Sequence, residues 1–330
     1  MDIALVGAGR IGRVHARALR DVDGARLVAV SDPMKDAARA IAKAEGAEVR
    51  EIDGMEGADV DAVLICSPTD THADLIERFA RAGKAVFCEK PIALDIGRTR
   101  KALAVVEETD TPLMIGFNRR FDPHMAAAKR SVEEGKVGEV ESIQIVSRDP
   151  APPPISYIQT SGGLFRDMAI HDFDMARWLL NEEPTTVSAH GSSLINAEIG
   201  RVGDVDTAHI ILETASGRQA SISNSRRATY GYDQRVEVHG SQGAIRVENI
   251  PVTNTVISGR SGNAYPPLHD FFMTRYAEAY RIEIAAFVRA AEAGDRPSPT
   301  GEDGLRALLL AEAAMKSMKE ERRVSVEEVS

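Results

Sequence analysis

Five short apolar, β-branched runs alternate with amphipathic stretches through the first half of the chain, and that alternation limits the fold more than any other feature. The runs are Asp2–Val6, Arg26–Ser31, Ala62–Cys66, Ala85–Cys88 and Leu113–Phe117. Between them, over about 10–20, 33–45, 70–82 and 95–108, apolar residues recur at spacings of three and four. Strands apolar on both faces, alternating with amphipathic helices, require a parallel sheet covered on both sides, the doubly wound α/β arrangement.

The second half changes character. A helix is expected over about Pro123–Glu134, stopping at Gly135, then a strand over Glu141–Ser147 and a Pro-rich loop over Asp149–Pro154. A longer helix is expected from about Gly162 to Leu180. Thr207–Thr214 and Arg218–Ser225 are joined by Ala-Ser-Gly, and Gln234–His239 and Ala244–Glu248 by Gly-Ser-Gln-Gly. Glycine-containing turns of this length favour antiparallel hairpins. Residues 271–294 and 302–320 return to helical spacing, with Gly294 and Pro297 breaking between them. This half reads as an α+β domain on an open, mainly antiparallel sheet. A length of 330 residues accommodates two such domains, divided as 1–120 and 121–330, with the C-terminal helix packing back on the first.

Charge excludes one class of function. With 40 basic against 50 acidic residues, a net charge of -10 and no Lys/Arg cluster, the chain lacks the surface that binds nucleic acid by counterion release. Apolar runs such as Ile3–Val6 and Ala62–Cys66 fall far short of the about 20 residues that span a bilayer. No basic flank followed by an apolar stretch opens the chain, so no signal peptide is expected. Cys66 and Cys88, both inside apolar runs, read as buried thiols in a reducing cytoplasm.

Gly7-Ala8-Gly9-Arg10-Ile11-Gly12 follows the first strand and opens the first helix, the context in which Gly-x-Gly-x-x-Gly binds a dinucleotide. Gly7 permits the tight turn, Gly9 lets the backbone approach a pyrophosphate, and Gly12 allows close helix–strand packing. The N-terminal amides of the helix face the phosphates. Asp32, twenty residues beyond Gly12, ends the second strand where a carboxylate bonds the ribose hydroxyls and repels a 2′-phosphate, which favours NAD over NADP. Lys35 and Arg39 nearby leave some room for NADP, and Asp32 also fits an N-cap for a helix starting at Pro33. Two other strands end in Cys66-Ser67-Pro68-Thr69, with His72 in the next helix, and in Glu89-Lys90-Pro91. Ser67, Thr69, His72, Glu89 and Lys90 therefore join the candidate cofactor contacts, although Ser67, Thr69 and His72 also suit plain cap and turn roles.

Gly162-Gly163-Leu164-Phe165-Arg166-Asp167-Met168-Ala169-Ile170-His171-Asp172-Phe173-Asp174 is the second informative stretch. On an uninterrupted helix Asp167, His171 and Asp174 fall at i, i+4 and i+7 and share one face. There a carboxylate can fix the tautomer of an imidazole and raise its basicity. A solvated Asp–His pair is the plain alternative. Asp-x3-His-x2-Asp also has metal-ligand character, but no second His or Cys cluster completes a site, and no metal is expected.

Taken together, Gly-x-Gly-x-x-Gly, Glu89-Lys90-Pro91 and Gly162-Gly163 followed by Asp167, His171, Asp172 and Asp174 resemble the Gfo/Idh/MocA oxidoreductases over essentially the whole chain. Four further stretches are most similar to the inositol-oxidising members: Gly116–Asp122, Ser147–Pro150, Tyr230–Asp233 and Phe271–Tyr276. The resemblance implies NAD as cofactor, a Lys90–Asp167–His171 catalytic group, and Arg119, Asp149, Tyr232 and Tyr280 against a polyol substrate. It implies oxidation of a secondary hydroxyl of a cyclic polyol by a homotetramer. Some inositol dehydrogenases carry Asn where Asp149 stands, and a packed aromatic is the plain reading of Tyr232 and Tyr280. A member of the same family acting on scyllo-inositol, an aldose or a sugar acid would keep every motif and change only the pocket, whereas a non-catalytic NAD sensor would keep the nucleotide domain and use the second as a partner surface, against which Lys90, Asp167 and His171 together argue.

Overall fold

The computed structural model describes all 330 residues, which form two compact units. One comprises Met1–Asp122 together with Ala277–Leu308, the other Pro123–Tyr276 together with Leu309–Ser330.

In the first unit six strands, Asp2–Val6 (β1), Arg26–Ser31 (β2), Glu48–Val49 (β3), Ala62–Ile65 (β4), Ala85–Cys88 (β5) and Leu113–Ile115 (β6), form an all-parallel sheet. Their order is β3-β2-β1-β4-β5-β6. The helices Arg10–Arg20, Lys35–Glu45, Thr69–Arg81 and Ile96–Glu108 cross between successive strands. Ile3, Leu5, Val63, Leu64 and Ile65 are fully buried although neighbours in a strand point to opposite faces. Each such side chain contributes roughly 1.5–3 kcal/mol of burial. Strand order reverses between β1 and β4, and ligands of doubly wound sheets bind at the carboxyl edge of that switch point.

Five of these strands were legible in the sequence. Two-residue, exposed β3, pairing Ala29 with Glu48 and Val30 with Val49, has no periodicity to read. β6 is shorter than expected because the Phe117 amide turns back to the Ile115 carbonyl at 2.8 Å. Helix Ala277–Ala293 packs on Arg10–Arg20 within this unit.

The second unit holds a seven-stranded sheet. It is built from Val140–Arg148 (β7), Pro184–Ser192 (β8), Thr207–Thr214 (β9), Gln219–Ser225 (β10), Asp233–Gly240 (β11) and Gly243–Val247 (β12). A separate hairpin pairs Ile257–Gly259 (β13) with Gly262–Ala264 (β14), and Val324–Ser325 (β15) completes the main sheet in the order β12-β11-β7-β10-β9-β8-β15. Both expected hairpins, β9–β10 and β11–β12, are present. The sheet is mainly antiparallel, with one exception: β7 lies parallel to β10, Ile143 opposite Ala220 and Ile145 opposite Ile222. Ile143, Ile145, Val187, Ile210, Leu212, Ile222 and Val238 alternate into the core, with helix Ile170–Leu180 packed on β7 and β10. β8 escaped the sequence reading because Pro-Thr-Thr-Val-Ser-Ala-His-Gly-Ser carries few large apolar residues.

The continuous helix expected over Gly162–Leu180 is corrected. Helix Ile155–Ser161 stops where Gly162 and Gly163 take φ of 87° and 79°, a left-handed pair that L side chains rarely adopt. A single π turn, Leu164–Met168, follows, closed by the Ala169 amide on the Leu164 carbonyl at 2.9 Å. Regular α-helix begins only at Ile170. The helix expected over 271–294 is likewise split at Tyr276 into Phe272–Arg275 and Ala277–Ala293.

Candidate active site

The glycine turn leaves β1 at the switch point. Gly7 has φ +99°, and a Cβ there would lie 2.5 Å from the Cys66 carbonyl carbon at the end of β4. Gly12 is closer still: its Cβ would meet the Gly7 carbonyl oxygen at 2.0 Å. By contrast, no protein atom lies within 4 Å of a Cβ built on Gly9. Two glycines thus fit protein against protein, and the third keeps an open face. Helix Arg10–Arg20 begins directly after Gly9 with no side chain capping it, the kind of helix N-terminus at which anions bind. An open glycine face, uncapped amides and a strand-end carboxylate at Asp32 fit a dinucleotide.

Asp32 does more than the sequence implied. Its Oδ2 accepts from the Ala8 amide at 2.6 Å and its Oδ1 from the Met34 amide at 2.7 Å. The carboxylate therefore braces the glycine turn while each oxygen keeps a further lone pair for a ribose hydroxyl. The following helix starts at Lys35 rather than Pro33, so Asp32 closes an Asx-type turn ahead of it instead of serving as its N-cap.

Beyond β4, Ser67 Oγ bonds Thr71 Oγ1 at 2.6 Å, and Thr69 is the first residue of its helix. His72 is fully buried, with Nδ1 2.8 Å from the Pro91 carbonyl oxygen and Nε2 2.8 Å from that of Ser67. Burial pushes its pKa down against those two carbonyls, which favour the charged ring. His72 ties the loop after β4 to the loop after β5, and both its nitrogens are occupied by protein. Glu89 is also buried and binds His15 Nε2 at 2.6 Å. Gly116 makes room for it, since a Cβ there would lie 3.1 Å from Glu89 Cδ. Lys90 follows, half-buried, at the carboxyl end of β5. Arg119 lies buried in the 3-10 turn Asn118–Phe121, and buried Tyr280 packs edge-on against His15 with ring centroids 5.3 Å apart.

His15 and Glu283 were missed by sequence reasoning. Glu283 is fully buried between Tyr280 and Phe287 on one helical stripe, and neither carboxylate oxygen has a hydrogen-bond partner. Burial, reinforced by the charge of Glu89, raises its pKa well above the ordinary carboxyl range. The thiols of Cys66 and Cys88 are free, buried and pushed up by desolvation, which makes them poor nucleophiles.

In the second unit, Asp167 sits in the π turn and His171 in the first turn of the α-helix. The intervening irregularity removes the ideal i, i+4 alignment. Tyr157 donates its hydroxyl to Asp167 Oδ1 at 3.0 Å, and Arg166 Nη2 donates to Glu312 Oε2 at 2.8 Å. Asp174, placed on the same face by the sequence reading, is instead buried beside Arg177, 3.7 Å from its Nη1. Asp149 ends up just beyond β7, its amide on the Ser225 carbonyl at 2.9 Å. Tyr232 is buried and edge-on to Phe271 and Tyr276, with centroids 5.7 and 6.0 Å away. No group of three His, Cys, Asp or Glu side chains is arranged to hold a metal ion.

A Rossmann sheet with this turn at its switch point, joined to an α+β domain on an open mixed sheet, defines a two-domain dinucleotide-dependent oxidoreductase. The profile described as "Oxidoreductase family, NAD-binding Rossmann fold" matches residues 1–117, and that described as "GFO/IDH/MocA C-terminal domain" matches residues 125–246. The chain belongs to the Gfo/Idh/MocA oxidoreductase family, and its first unit contains the family's NAD-binding domain. It is 60% identical over 323 residues to inositol 2-dehydrogenase of Rhizobium meliloti (strain 1021), covering 98% of each chain. It is 45% identical to myo-inositol 2-dehydrogenase of Thermotoga maritima, covering 100% of this chain and 99% of that one. Among solved structures, scyllo-inositol dehydrogenase from Lactobacillus casei with bound cofactor NAD(H) and scyllo-inositol superposes with a TM-score of 0.92 at 32% identity, covering 99% of each chain.

Proposed function

We propose that this protein oxidises a secondary hydroxyl of a cyclic polyol with NAD⁺, converting myo-inositol to 2-keto-myo-inositol in inositol catabolism. What supports this reading most is full-length similarity, at 60% identity, to a protein named inositol 2-dehydrogenase. A scyllo-inositol substrate is the second reading, favoured by the fold-wide likeness to the Lactobacillus casei enzyme.

Bound NAD⁺ supplies the hydride acceptor at the reacting carbon. His171 takes the hydroxyl proton as the carbon–hydrogen bond breaks and the ketone forms. Asp167 orients the imidazole and stabilises its protonated form, and the Tyr157 hydroxyl steadies that carboxylate. Lys90 stabilises the developing alkoxide with its charge. Arg119, Asp149, Tyr232 and Tyr280 are assigned to the polyol hydroxyls. Gly7, Gly9, Arg10, Ile11, Gly12, Asp32, Ser67, Thr69 and Glu89 are assigned to the dinucleotide side, with His72 acting through the loops it ties. The enzyme is proposed to work as a homotetramer in the cytoplasm; no helix is long and apolar enough to cross a membrane.

The test is His171→Ala. Turnover of myo-inositol is expected to fall by roughly 10²–10⁴-fold, with NAD binding measured by calorimetry unchanged. Near-normal turnover would remove His171 from the chemistry.

A further inference from the structure

We propose that Asp204 and Arg226 form a positioning pair that holds the segment carrying Asp167 and His171 in its working conformation, setting turnover without touching substrate. The inference rests on the assignment of Asp167 and His171 made above.

The segment starts at a point only glycine can occupy. A Cβ on Gly163 would lie 2.6 Å from Asp204 Oδ1. Because that Cβ is absent, Asp204 Oδ1 reaches the Leu164 amide, the first of the π turn, at 2.9 Å. A π turn inserts one residue relative to α-helix, and one residue corresponds to about 100° of rotation. If Leu164–Met168 relaxed to α-helix, the turn as a whole would change phase by that angle, and Asp167, inside it, would rotate by part of it relative to His171. Such turns are rare and recur at functional sites, and this one is fastened at its N-terminal amide by a residue forty positions away.

Arg226 stands behind the carboxylate. It is 1% exposed, and its Nη2 lies 3.6 Å from Asp204 Oδ2, an oxygen with no hydrogen-bond partner of its own. Nε and Nη2 of Arg226 find no hydrogen-bond acceptor either. A buried guanidinium of this kind is costly unless its counter-charge stays in place, and such pairs rarely add net stability over apolar packing. The role assigned to this pair is fixing geometry. The Arg226 amide is itself anchored on the Asp206 carbonyl at 2.8 Å. Two residues earlier, Asn224 Nδ2 donates to Asp172 Oδ2 at 2.7 Å, and Asp172 is fully buried next to His171. The end of β10 thus holds the segment on both sides of the Asp167–His171 stretch.

The experiment compares Asp204→Asn, Arg226→Met and Arg226→Lys in the full chain with wild type and His171→Ala. It reads kcat, KM for NAD and for myo-inositol, and the melting temperature, assaying each variant well below its melt. Displacement of catalytic groups by about 1 Å costs up to about a hundredfold in rate. Asp204→Asn, which keeps the size of the side chain, and Arg226→Met are expected to lower kcat about ten- to a hundredfold with KM for NAD within about twofold. Arg226→Lys should recover part of the loss. Wild-type kcat in folded Asp204→Asn and Arg226→Met, alongside an inactive His171→Ala, would overturn the positioning role alone. Losses that follow only the fraction unfolded would overturn it too. Normal turnover by His171→Ala would bring down the catalytic assignment and this inference with it.

Discussion

Replacing Gly9 and Gly12 in turn separates what the glycine turn does for the cofactor from what it does for the fold. A Cβ on Gly12 would sit 2.0 Å from the Gly7 carbonyl oxygen, whereas ordinary contact begins at 3.4 Å. The obstacle is backbone, so Gly12→Ala forces the first helix away from the turn by about 1.4 Å, the gap between those distances. An amide–phosphate bond of about 2.9 Å does not survive such a shift. Losing one hydrogen bond to a charged group costs about 1.5–3 kcal/mol, roughly a ten- to hundredfold weakening of NAD. Gly9→Ala differs. Gly9 has φ −70°, which alanine accepts, and nothing lies within 4 Å of the new methyl. Without ligand its melting temperature should hold or rise slightly, while the methyl takes the space a pyrophosphate needs and NAD affinity drops at least about tenfold. Calorimetric titration with NAD and melts of the ligand-free variants measure both. Wild-type NAD affinity in Gly9→Ala, or an unchanged melt in Gly12→Ala, refutes the assignment.

Asp32→Ala removes the bond to the Ala8 amide together with the charge facing the ribose, so NAD affinity should fall about tenfold or more and NADP exclusion relax; an unchanged NAD-to-NADP ratio of kcat/KM argues against the ribose contact. Glu283→Gln addresses the buried carboxyl. Its folded pKa lies well above the ordinary 4.5, so the folded state binds the extra proton and wild type loses stability as pH rises above that value. Measured against wild type by urea midpoints, the Glu283→Gln variant should gain up to about 1.4 kcal/mol per pH unit until the folded carboxyl ionises; a gap that is flat from pH 5 to about 9 contradicts neutral burial.

How far the sequence carried depended on how local the determining contacts are. β1, β2, β4 and β5 announce themselves because their central residues are apolar and buried on both faces. The glycine turn is read from its own spacing after a strand and before a helix, although Gly7 packs against Cys66 far along the chain. The π turn could not be read, since Gly162–Leu180 keeps helical spacing throughout and the residue that interrupts it, Asp204, comes from far along the chain. Tyr157, which supports Asp167, carried no motif. Asn224 and Arg226 did leave a trace: they continue the inward phase of Ala220 and Ile222 on β10, where polar residues are out of place. Asp174 shares a regular helix with His171 alone, and its side turns into the protein against Arg177.

NADH formation, followed by absorbance after adding NAD⁺ to the purified protein with myo-inositol, scyllo-inositol, acyclic polyols and aldoses in parallel, decides what this enzyme oxidises. Rapid NADH formation is expected with myo-inositol and little with the acyclic polyols. Turnover of an aldose or an acyclic polyol with none of either inositol would contradict the proposed oxidation of an inositol.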